Sequence, residues 1–518
     1  DWLVGINATR LFSLLYGCTL NIGRVVSPTL ALVVQREVEI AAFQPETFYT
    51  VELDCGGLTL AGERKPSKKE AQEAAARCQG STATVQAVER REKTEKPPAL
   101  FDLTTLQREA NRTLGYTAQQ TLDYLQALYD KKFSTYPRTD SRYLTDDMEA
   151  GVPALVEAAA SICGVAAPET VLAGQVCDSA RVSDHHAVVP TASAGRADLE
   201  ALPIGEREIL RLVSLGLLRA VCPPCRSAET CITALCAGDP YTAKWKEVLS
   251  PGWKVHAQTA DAEVGTGPDR LTEGQTLPVA AAKIKTGKTT PPKHHTEDSL
   301  LSAMETAGKE DMPEDAERQG IGTPATRATI LEKLVSAGFV ERKKAKKTVS
   351  LLPTPLGTAL ITVLPEQLQS PTLTAEWEHR LKEVERGTLA PGDFMDEIAA
   401  MLRELVETCR PVEGGAVLFP STRETVGRCP RCGGTVTEGR KGFFCEDRAC
   451  GFAIWKDSKW WENKKKKPTK SIVAALLKDG RAQVSGLWSE KTGKTYAATV
   501  LLTDDGMRAS FRLEFGHE

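Results

Sequence analysis

The feature that most constrains the fold is a strand-rich pattern that occurs twice, on either side of a long helical stretch. Residues 46–96 and 220–290 both alternate apolar and polar side chains and carry glycine and proline turns. Residues 97–219 between them have the apolar spacing of helices, as do residues 1–45 and 291–412. The pattern predicts one strand-rich domain interrupted by a helical domain. Both connections would then lie close together, as a hinged arch requires.

The bulk composition sets limits but indicates no partner. At 518 residues the chain is too long for a single core, and the length predicts about three or four domains. The net charge of -3 leaves a basic groove possible only as a local feature. The longest uncharged run, residues 348–365, contains three prolines, so we predict no membrane segment. Ten of the fourteen cysteines lack a pattern, which favours a reducing cytoplasm.

The other four cysteines, near the carboxyl end, have the spacing of a metal site. They form two short-spaced pairs across a hairpin-length gap, Cys429-x2-Cys432 and Cys445-x4-Cys450. Four thiolates in such a pattern suit a closed, tetrahedral, structural Zn²⁺ site. The sequence therefore predicts a zinc ribbon over residues 425–456; the alternatives are a dithiol redox pair or unligated thiols. The basic run 464–467 would then be a linker to a small module at residues 470–518.

The segment 134–141, Ser-Thr-Tyr-Pro-Arg-Thr-Asp-Ser, is the most informative in the chain. Tyr136 supplies a phenol, which is a poor nucleophile until its charge is stabilised. Arg138, held by the fixed φ of Pro137, can direct its guanidinium at the same phosphate and offset the charge on a five-coordinate phosphorus. The ordinary alternative is a partly buried tyrosine followed by a helix N-cap. Tyr143 is a rival nucleophile, but no Arg-Thr-Asp-Ser sequence follows it.

Two further segments carry groups suited to phosphate. In the sequence Ser-Asp-His-His at 183–186, His185 can hold a phosphate as a cation or relay a proton, although a lone histidine is more often structural. Residues 320–330 combine glycines, hydroxyls and an arginine at a predicted helix start, which suits a grip on phosphates. The alternative there is a winged helix-turn-helix with the lysines of 343–347 in its wing, which is also a DNA-binding motif.

In this order, the three segments resemble the active-site strings of type IA DNA topoisomerases, in particular of the bacterial topoisomerase III branch. Residues 1–10 are similar to the stretch that follows the Toprim domain of that family. Residues 21–29, Asn-Ile-Gly-Arg-Val-Val-Ser-Pro-Thr, resemble its DNA-contacting loop, with Val26 where the family usually has Gln. Residues 374–378, Thr-Ala-Glu-Trp-Glu, resemble a further family string. The resemblance spans residues 1 to about 410.

The resemblance implies an α+β, multidomain, toroidal body in which winged-helix-like helical domains are joined by a strand-rich arch. It implies that Tyr136, Arg138 and His185 are catalytic, through a 5′-phosphotyrosine, strand passage and religation without ATP. The DNA-binding residues that it assigns are Arg10, Asn21, Ile22, Gly23, Arg24, Val25, Val26, Ser141, Thr323, Thr326 and Arg327. The substrates would be single-stranded, negatively supercoiled or catenated DNA, bound by a cytoplasmic, nucleoid-associated monomer.

The magnesium ligands of the family, a Glu and an Asp-x-Asp pair, belong to its Toprim domain, which would precede Asp1. The sequence offers no substitute, so we expect a fragment that binds DNA but is inactive without that domain. The competing functions are a non-catalytic DNA-binding module and a tyrosine recombinase, which needs an Arg-His-Arg set and forms a 3′ link. The tail at 470–518 resembles a C-terminal repeat of some bacterial topoisomerases III. Its aromatic side chains would either stack on single-stranded bases or form a small core.

Overall fold

The computed structural model describes residues 1–257, 271–308, 320–419, 424–447 and 449–514. The chain forms two compact units, the first of Asp1–Leu15 with Thr19–Leu418 and the second of Tyr16–Cys18 with Phe419–Glu518. Among the helices of these described ranges, none is both long enough and apolar enough to cross a bilayer.

Among the described residues, the first unit contains fourteen α-helices. They are α1 (Trp2–Tyr16, whose last residue belongs to the second unit), α2 (Val26–Ala42), α3 (Lys68–Cys78), α4 (Leu103–Leu114), α5 (Ala118–Asp130), α6 (Val152–Cys163), α7 (Ile204–Ala220), α8 (Glu297–Thr306), α9 (Pro324–Ser336), α10 (Pro355–Val363), α11 (Glu366–Gln369), α12 (Thr372–Glu385), α13 (Pro391–Thr408) and α14 (Gly415–Leu418).

One seven-stranded sheet contains strands from both strand-rich segments. The strands are β1 (Thr47–Asp54), β2 (Thr59–Gly62), β3 (Thr82–Glu95), β4 (Cys225–Cys236), β5 (Asp239–Ser250), β6 (Thr276–Pro278) and β7 (Ala281–Lys288). They lie in the order β6-β3-β4-β5-β2-β1-β7, and all neighbours are antiparallel. Helix α3 closes one face through Ala71 and Ala74, which share a core with Leu53 and Ile232. The sheet is therefore a single structure built from both segments.

The helical insert leaves and re-enters this sheet at adjacent positions. Strands β3 and β4 pair along their length, and Glu95 at the end of β3 lies opposite Cys225 at the start of β4. Helices α4 to α7 lie between these two strands. Their two apolar cores draw all their members from residues 100–221, so the insert has a hydrophobic interior of its own. Two adjacent strands thus tether a separately packed helical body.

A β-hairpin follows α9, as a winged helix requires. Its strands are β8 (Val340–Ala345) and β9 (Thr348–Pro353), which pair antiparallel. The tip exposes a run of basic side chains, Lys343, Lys344, Lys346 and Lys347. This hairpin has the form of a wing, and its lysines face solvent.

The second unit combines the cysteine-rich segment with the tail. A four-stranded ribbon consists of β10 (Thr425–Arg428), β11 (Thr435–Glu438), β12 (Gly442–Cys445) and β13 (Ala453–Trp455). Two helices follow it, α15 (Lys459–Asn463) and α16 (Lys470–Asp479). The last element is a three-stranded sheet of β14 (Arg481–Ser489), β15 (Lys494–Asp504) and β16 (Ala509–Glu514). One hydrophobic core contains ribbon residues such as Phe443 and tail residues such as Val473 and Val500. The predicted linker is also packed, since the N–H of Trp488 donates to the carbonyl of Lys464 at 2.9 Å. The ribbon and the tail are one folded unit.

Candidate active site and metal centre

The tyrosine loop is fixed by hydrogen bonds to the segment that carries the histidines. The N–H of Thr135 donates to the carbonyl of Val189 at 3.1 Å. The hydroxyl of Thr135 donates to the carbonyl of Ala187 and accepts from the N–H of Val189, each at 3.0 Å. These bonds place two motifs that lie about fifty residues apart side by side.

Tyr136 is half-buried, and its ring contacts two other rings. Its centroid lies 4.2 Å from that of His185 and 5.5 Å from that of Tyr129, the latter edge-on. Among the described residues, the Tyr136 hydroxyl has no hydrogen-bond partner. Tyr143 differs, because Arg181 donates to its hydroxyl at 2.8 Å and lies over its ring. Of the two candidate nucleophiles, only the Tyr136 hydroxyl is uncommitted.

Arg138 and His185 lie beside this tyrosine with exposed side chains. Arg138 Nη1 donates to Gln126 Oε1 on α5 at 3.0 Å, which leaves the rest of its guanidinium in solvent. The backbone carbonyl of His185 accepts from Thr139 Oγ1 at 2.8 Å. The structure therefore brings the three predicted catalytic side chains to one surface.

Ser141, a predicted DNA contact, is buried at 4% exposure. Its hydroxyl donates to the carbonyl of Arg181 at 2.9 Å and accepts from the N–H of Tyr143 at 3.2 Å. The Ser141 hydroxyl therefore joins the tyrosine loop to the histidine segment inside the protein.

The glycine-rich segment turns sharply into α9. Gly320 has φ +80°, and an added Cβ would lie 2.3 Å from the carbonyl oxygen of Met304, so only glycine fits there. Thr323 caps α9 with Thr326, whose hydroxyl accepts from the Thr323 N–H at 2.9 Å. The hydroxyls of Thr323 and Thr326 are 3.0 Å apart and partly accessible.

Arg327 lies inside the fold, with 3% of its surface exposed. Its Nη1 donates to Thr104 Oγ1 at 3.0 Å and its Nε to the carbonyl of Ile321 at 3.3 Å. Burial lowers the pKa of Arg327 from its usual value. These contacts make its side chain a support for the start of α9, not an exposed phosphate ligand.

The start of α4 contacts both the tyrosine loop and Arg327 of α9, a link that the sequence did not predict. The N–H of Leu103 donates to the carbonyl of Thr139 in the tyrosine loop at 3.1 Å, and the neighbouring Thr104 accepts from Arg327. Asp102 caps the helix by accepting from the Thr105 N–H at 2.7 Å, and burial raises the pKa of Asp102. The capping pattern from Asp102 to Thr105 was the available sequence signal.

The loop before α2 lies beside the glycine-rich segment. Thr9 Oγ1 accepts from the N–H of Ile22 at 3.0 Å, which fixes the loop on α1. A Cβ added to Gly322 would lie 3.3 Å from Val25 Cγ1, so the two segments touch. Beside the loop is a cavity of about 410 Å³, lined by Thr9, Asn21, Ile22, Val26, Lys333, Ser336, Ala337 and Phe339. Asn21 and Arg10 are exposed, Gly23, Val25 and Val26 are half-buried, and Ile22 is buried.

Arg24 lies where the segments 1–10, 21–29 and 374–378 meet. Its Nε donates to Asp1 Oδ1 at 2.5 Å, and its guanidinium lies 5.5 Å from the ring centroid of Trp377. Burial lowers the pKa of Arg24, and the charge of Glu378 acts in the opposite direction. Its Nη1 is buried without a partner in the described part of the chain. The Arg24 guanidinium is therefore positioned but not fully satisfied.

The four predicted metal ligands come together in the second unit. The Sγ atoms of Cys429, Cys432, Cys445 and Cys450 all lie within 4.8 Å of one another. Gly433 and Gly451 follow the pairs with positive φ, as tight knuckle turns require. The Gly434 N–H lowers the pKa of Cys432, whereas burial raises the pKa of Cys445 to about 12. Four converging sulfurs without an open position fit a tetrahedral Zn²⁺.

The chain is similar to known DNA topoisomerases over most of its length. The sequence profile of the DNA topoisomerase family matches residues 1–396. DNA topoisomerase 3 of Bacillus subtilis is 34% identical over 487 residues, and the alignment covers 87% of this chain and 65% of that protein. DNA topoisomerase 3 of Shouchella clausii is also 34% identical, with the same coverage. The chain thus spans about two thirds of the length of these relatives.

A solved structure supports the fold. Full-length topoisomerase I from Thermotoga maritima superimposes with a TM-score of 0.61 at 24% identity, over 88% of this chain and 73% of that one. The mixed helical and sheet architecture is therefore the type IA topoisomerase fold that the sequence predicts. Together with the family profile and the curated relatives, it shows that this chain belongs to the DNA topoisomerase family, as a type IA, topoisomerase III-like member.

Proposed function

We propose that the chain cleaves and reseals one DNA strand through Tyr136. The phenol oxygen forms a bond to a backbone phosphorus while the bond from that phosphorus to the 3′ oxygen breaks. This leaves a 5′-phosphotyrosine and a 3′ hydroxyl. The observation that carries the proposal is the uncommitted Tyr136 hydroxyl. Its ring lies 4.2 Å from that of His185, and the exposed Arg138 follows two residues later. Attack by the 3′ hydroxyl reverses the step without ATP, because one phosphoester replaces another.

Arg138 and His185 would serve the two sides of this exchange. Anchored on Gln126, Arg138 keeps N–H groups free to stabilise the charge on the phosphate as the new bond forms. The imidazole of His185, next to the phenol, can hold the phosphate or pass a proton to the departing 3′ oxygen.

DNA would lie along the surface formed by the loop before α2, the start of α9 and the wing. Arg10, Asn21, Thr326 and the wing lysines offer exposed donors, and Gly23, Arg24, Val25, Val26 and Thr323 shape the path. We assign buried Ile22, Ser141 and Arg327 to positioning this surface. Such contacts go mostly to phosphate, so binding should weaken steeply as the salt concentration rises. As substrates we propose single-stranded regions of negatively supercoiled or catenated DNA. We further propose a monomer that acts in the cytoplasm on the nucleoid.

Passage of a second strand would use the interrupted sheet. We propose that residues 97–219 move as a domain on an arch formed by residues 46–96 and 220–290. The packing of the insert on its own cores and its two-strand tether support this division. Residues 1–45 with 291–412 form the remaining proposed domain of the first unit. The proposed modules 425–456 and 470–518 share one core.

The family implies two metal ions, a structural Zn²⁺ and a Mg²⁺ for cleavage, and the described residues bear differently on each. The four cysteines fit a structural Zn²⁺, which would hold the knuckles of the ribbon together. In the described residues, no group of three metal-ligating side chains lies near Tyr136, so we assign no step to Mg²⁺. We propose that cleavage depends on a Toprim domain, which can be added in trans.

The test is covalent trapping on a single-stranded oligonucleotide labelled at either end. With the Toprim domain of a relative present, we expect denaturant to trap an adduct on the side of the cut that retains the 5′ phosphate. Tyr136→Phe should abolish the adduct, and Tyr143→Phe, the matched control, should retain it. An adduct that survives in Tyr136→Phe, or one linked through a 3′ phosphate, would overturn the proposal.

A further inference from the structure

A cavity of about 380 Å³ lies where the helical insert joins the strands that carry it. Its wall is formed by the connector after β3, by α4 and α7 of the insert, and by the segment that follows β5. The volume is in the range of pockets that hold small molecules. None of the lining residues belongs to the site around Tyr136 or to the DNA path proposed above, so the cavity is a separate feature.

Positive charge predominates in the wall of this cavity. Four arginines and two acidic residues line it, namely Arg108, Arg112, Arg142 and Arg219 with Glu109 and Asp298. Glu109 is shared, because it pairs with both Arg112 and Arg219. Arg108 pairs with Asp298 and with Glu305. Among the described residues no carboxylate pairs with Arg142, so its charge is left over for a ligand.

Two of these arginines are fixed in place by backbone carbonyls. Arg142 is half-buried, and its Nε donates to the carbonyl of Leu100 at 3.0 Å, which leaves both Nη groups available within the described part of the chain. Arg219 is only 8% exposed, and its Nε donates to the carbonyl of His256 at 2.9 Å. Burial lowers the pKa of Arg219. An anion in the cavity would offset the cost of burying this charge.

Two aromatic rings line the same cavity, those of Phe101 and Trp253. Phe101 packs against α7, where a Cβ added to Gly216 would lie 2.4 Å from the ring. Trp253 is held at both ends, since its Nε1 donates to the carbonyl of Glu95 at 3.2 Å and its backbone N–H to that of Pro223 at 3.0 Å. Its ring is half-exposed, and a fixed aromatic face of this kind can stack on a nucleobase.

We propose that this cavity binds a nucleotide, with the phosphate among the arginines and the base against Trp253. Guanidinium groups match the charge and the geometry of phosphate oxygens. The aromatic rings supply the flat, apolar surface that inorganic phosphate alone would not need. A free nucleotide and the phosphorylated 5′ end of a DNA strand share this chemistry, because each offers a phosphate monoester next to a base.

The test is calorimetric titration of the whole chain with dAMP and, separately, with inorganic phosphate. We expect dAMP to saturate one site. Arg142→Met should weaken dAMP binding about tenfold or more, as expected for losing hydrogen bonds to a charged group. Trp253→Leu should weaken binding of dAMP but not of inorganic phosphate, which has no base to stack.

Arg138→Met is the matched control, because Arg138 lies four residues before Arg142 and outside the cavity. It should retain dAMP binding. Should Arg142→Met lower the melting temperature, the exposed Arg112 gives a second variant, Arg112→Met, which should also weaken dAMP binding. The absence of a saturable site, or binding lost in Arg138→Met and kept in Arg142→Met, would overturn the proposal.

Competition with a single-stranded oligonucleotide distinguishes the two sources of the ligand. Displacement of dAMP only by the 5′-phosphorylated form would assign the cavity to a strand end, and displacement by neither form would assign it to a free nucleotide. Equal displacement by the 5′-phosphorylated and 5′-hydroxyl forms would show binding of backbone phosphodiesters and overturn the assignment. None of these measurements involves cleavage, so they stand or fall independently of the role proposed for Tyr136.

Discussion

Removal of zinc should unfold the whole second unit and not only its ribbon. Structural zinc of this type contributes about 10–16 kcal/mol of apparent binding free energy, whereas a domain of this size is stable by only about 5–15 kcal/mol. The tail depends on the ribbon because they share a core. Gly427 of β10 lies so close to α16 that an added Cβ would be 3.0 Å from Leu477 Cβ. The Arg431 guanidinium also makes two 2.6 Å contacts with Asp504 on β15.

The assay is zinc content together with hydrogen exchange in the ribbon, α16 and β15. Wild type should hold one zinc per chain, and Cys432→Ser should lose it together with protection in all three elements. Cys409→Ser, in the first unit, is the control and should change neither. Protection of α16 that persists without zinc would refute the shared-core argument, and a zinc-free wild type purified without chelator would refute the metal site.

Substitutions at three single residues test other parts of the structure. Arg138→Ala should slow cleavage far more than it weakens single-strand binding, because its contact is strongest in the transition state; equal losses in adduct-formation and binding assays would make it an ordinary phosphate contact. Gly320→Ala should lower the melting temperature of the first unit well beyond Gly338→Ala, which has a similar positive φ but open space around it; equal shifts in calorimetry would contradict the backbone clash. Trp488→Leu should weaken single-strand binding about tenfold if the ring, with Lys465 Nζ 4.0 Å from its centroid, stacks on a base; unchanged anisotropy titrations would make it a core residue.

Periodicity and turn residues were enough to anticipate where helices and strands lie, because both patterns depend on local burial. The interrupted strand pattern also suggested that distant segments meet, and strands of both segments share one sheet. The spacing of four cysteines indicated a cluster because two short-spaced pairs are typical of zinc ligands. The segments around Tyr136, His185 and Gly320 were found because their chemistry is unusual in combination.

Side-chain direction could not be read from the sequence. Arg327 and Ser141 lie in strings that suggest DNA contact, but both are buried, because hydrogen bonds from distant segments satisfy them. The contacts that Thr104 and Arg108 of α4 make with Arg327 and Asp298 were missed for the same reason, since these partners lie about two hundred residues away. The packing of Lys464 and Lys465 against the tail depends on a core that no local pattern encodes.

The central claim is that Tyr136 carries the covalent bond to DNA, and peptide mapping of the trapped adduct tests it most directly. Trypsin cuts after Lys132 and Arg138, so the peptide of residues 133–138 contains Tyr136 as its single tyrosine, and Tyr143 falls in a separate peptide. After nuclease digestion of the bound DNA, the account predicts a nucleotide attached through its 5′ phosphate to the peptide 133–138. A nucleotide on the peptide that begins at Tyr143, or on any other, would contradict it.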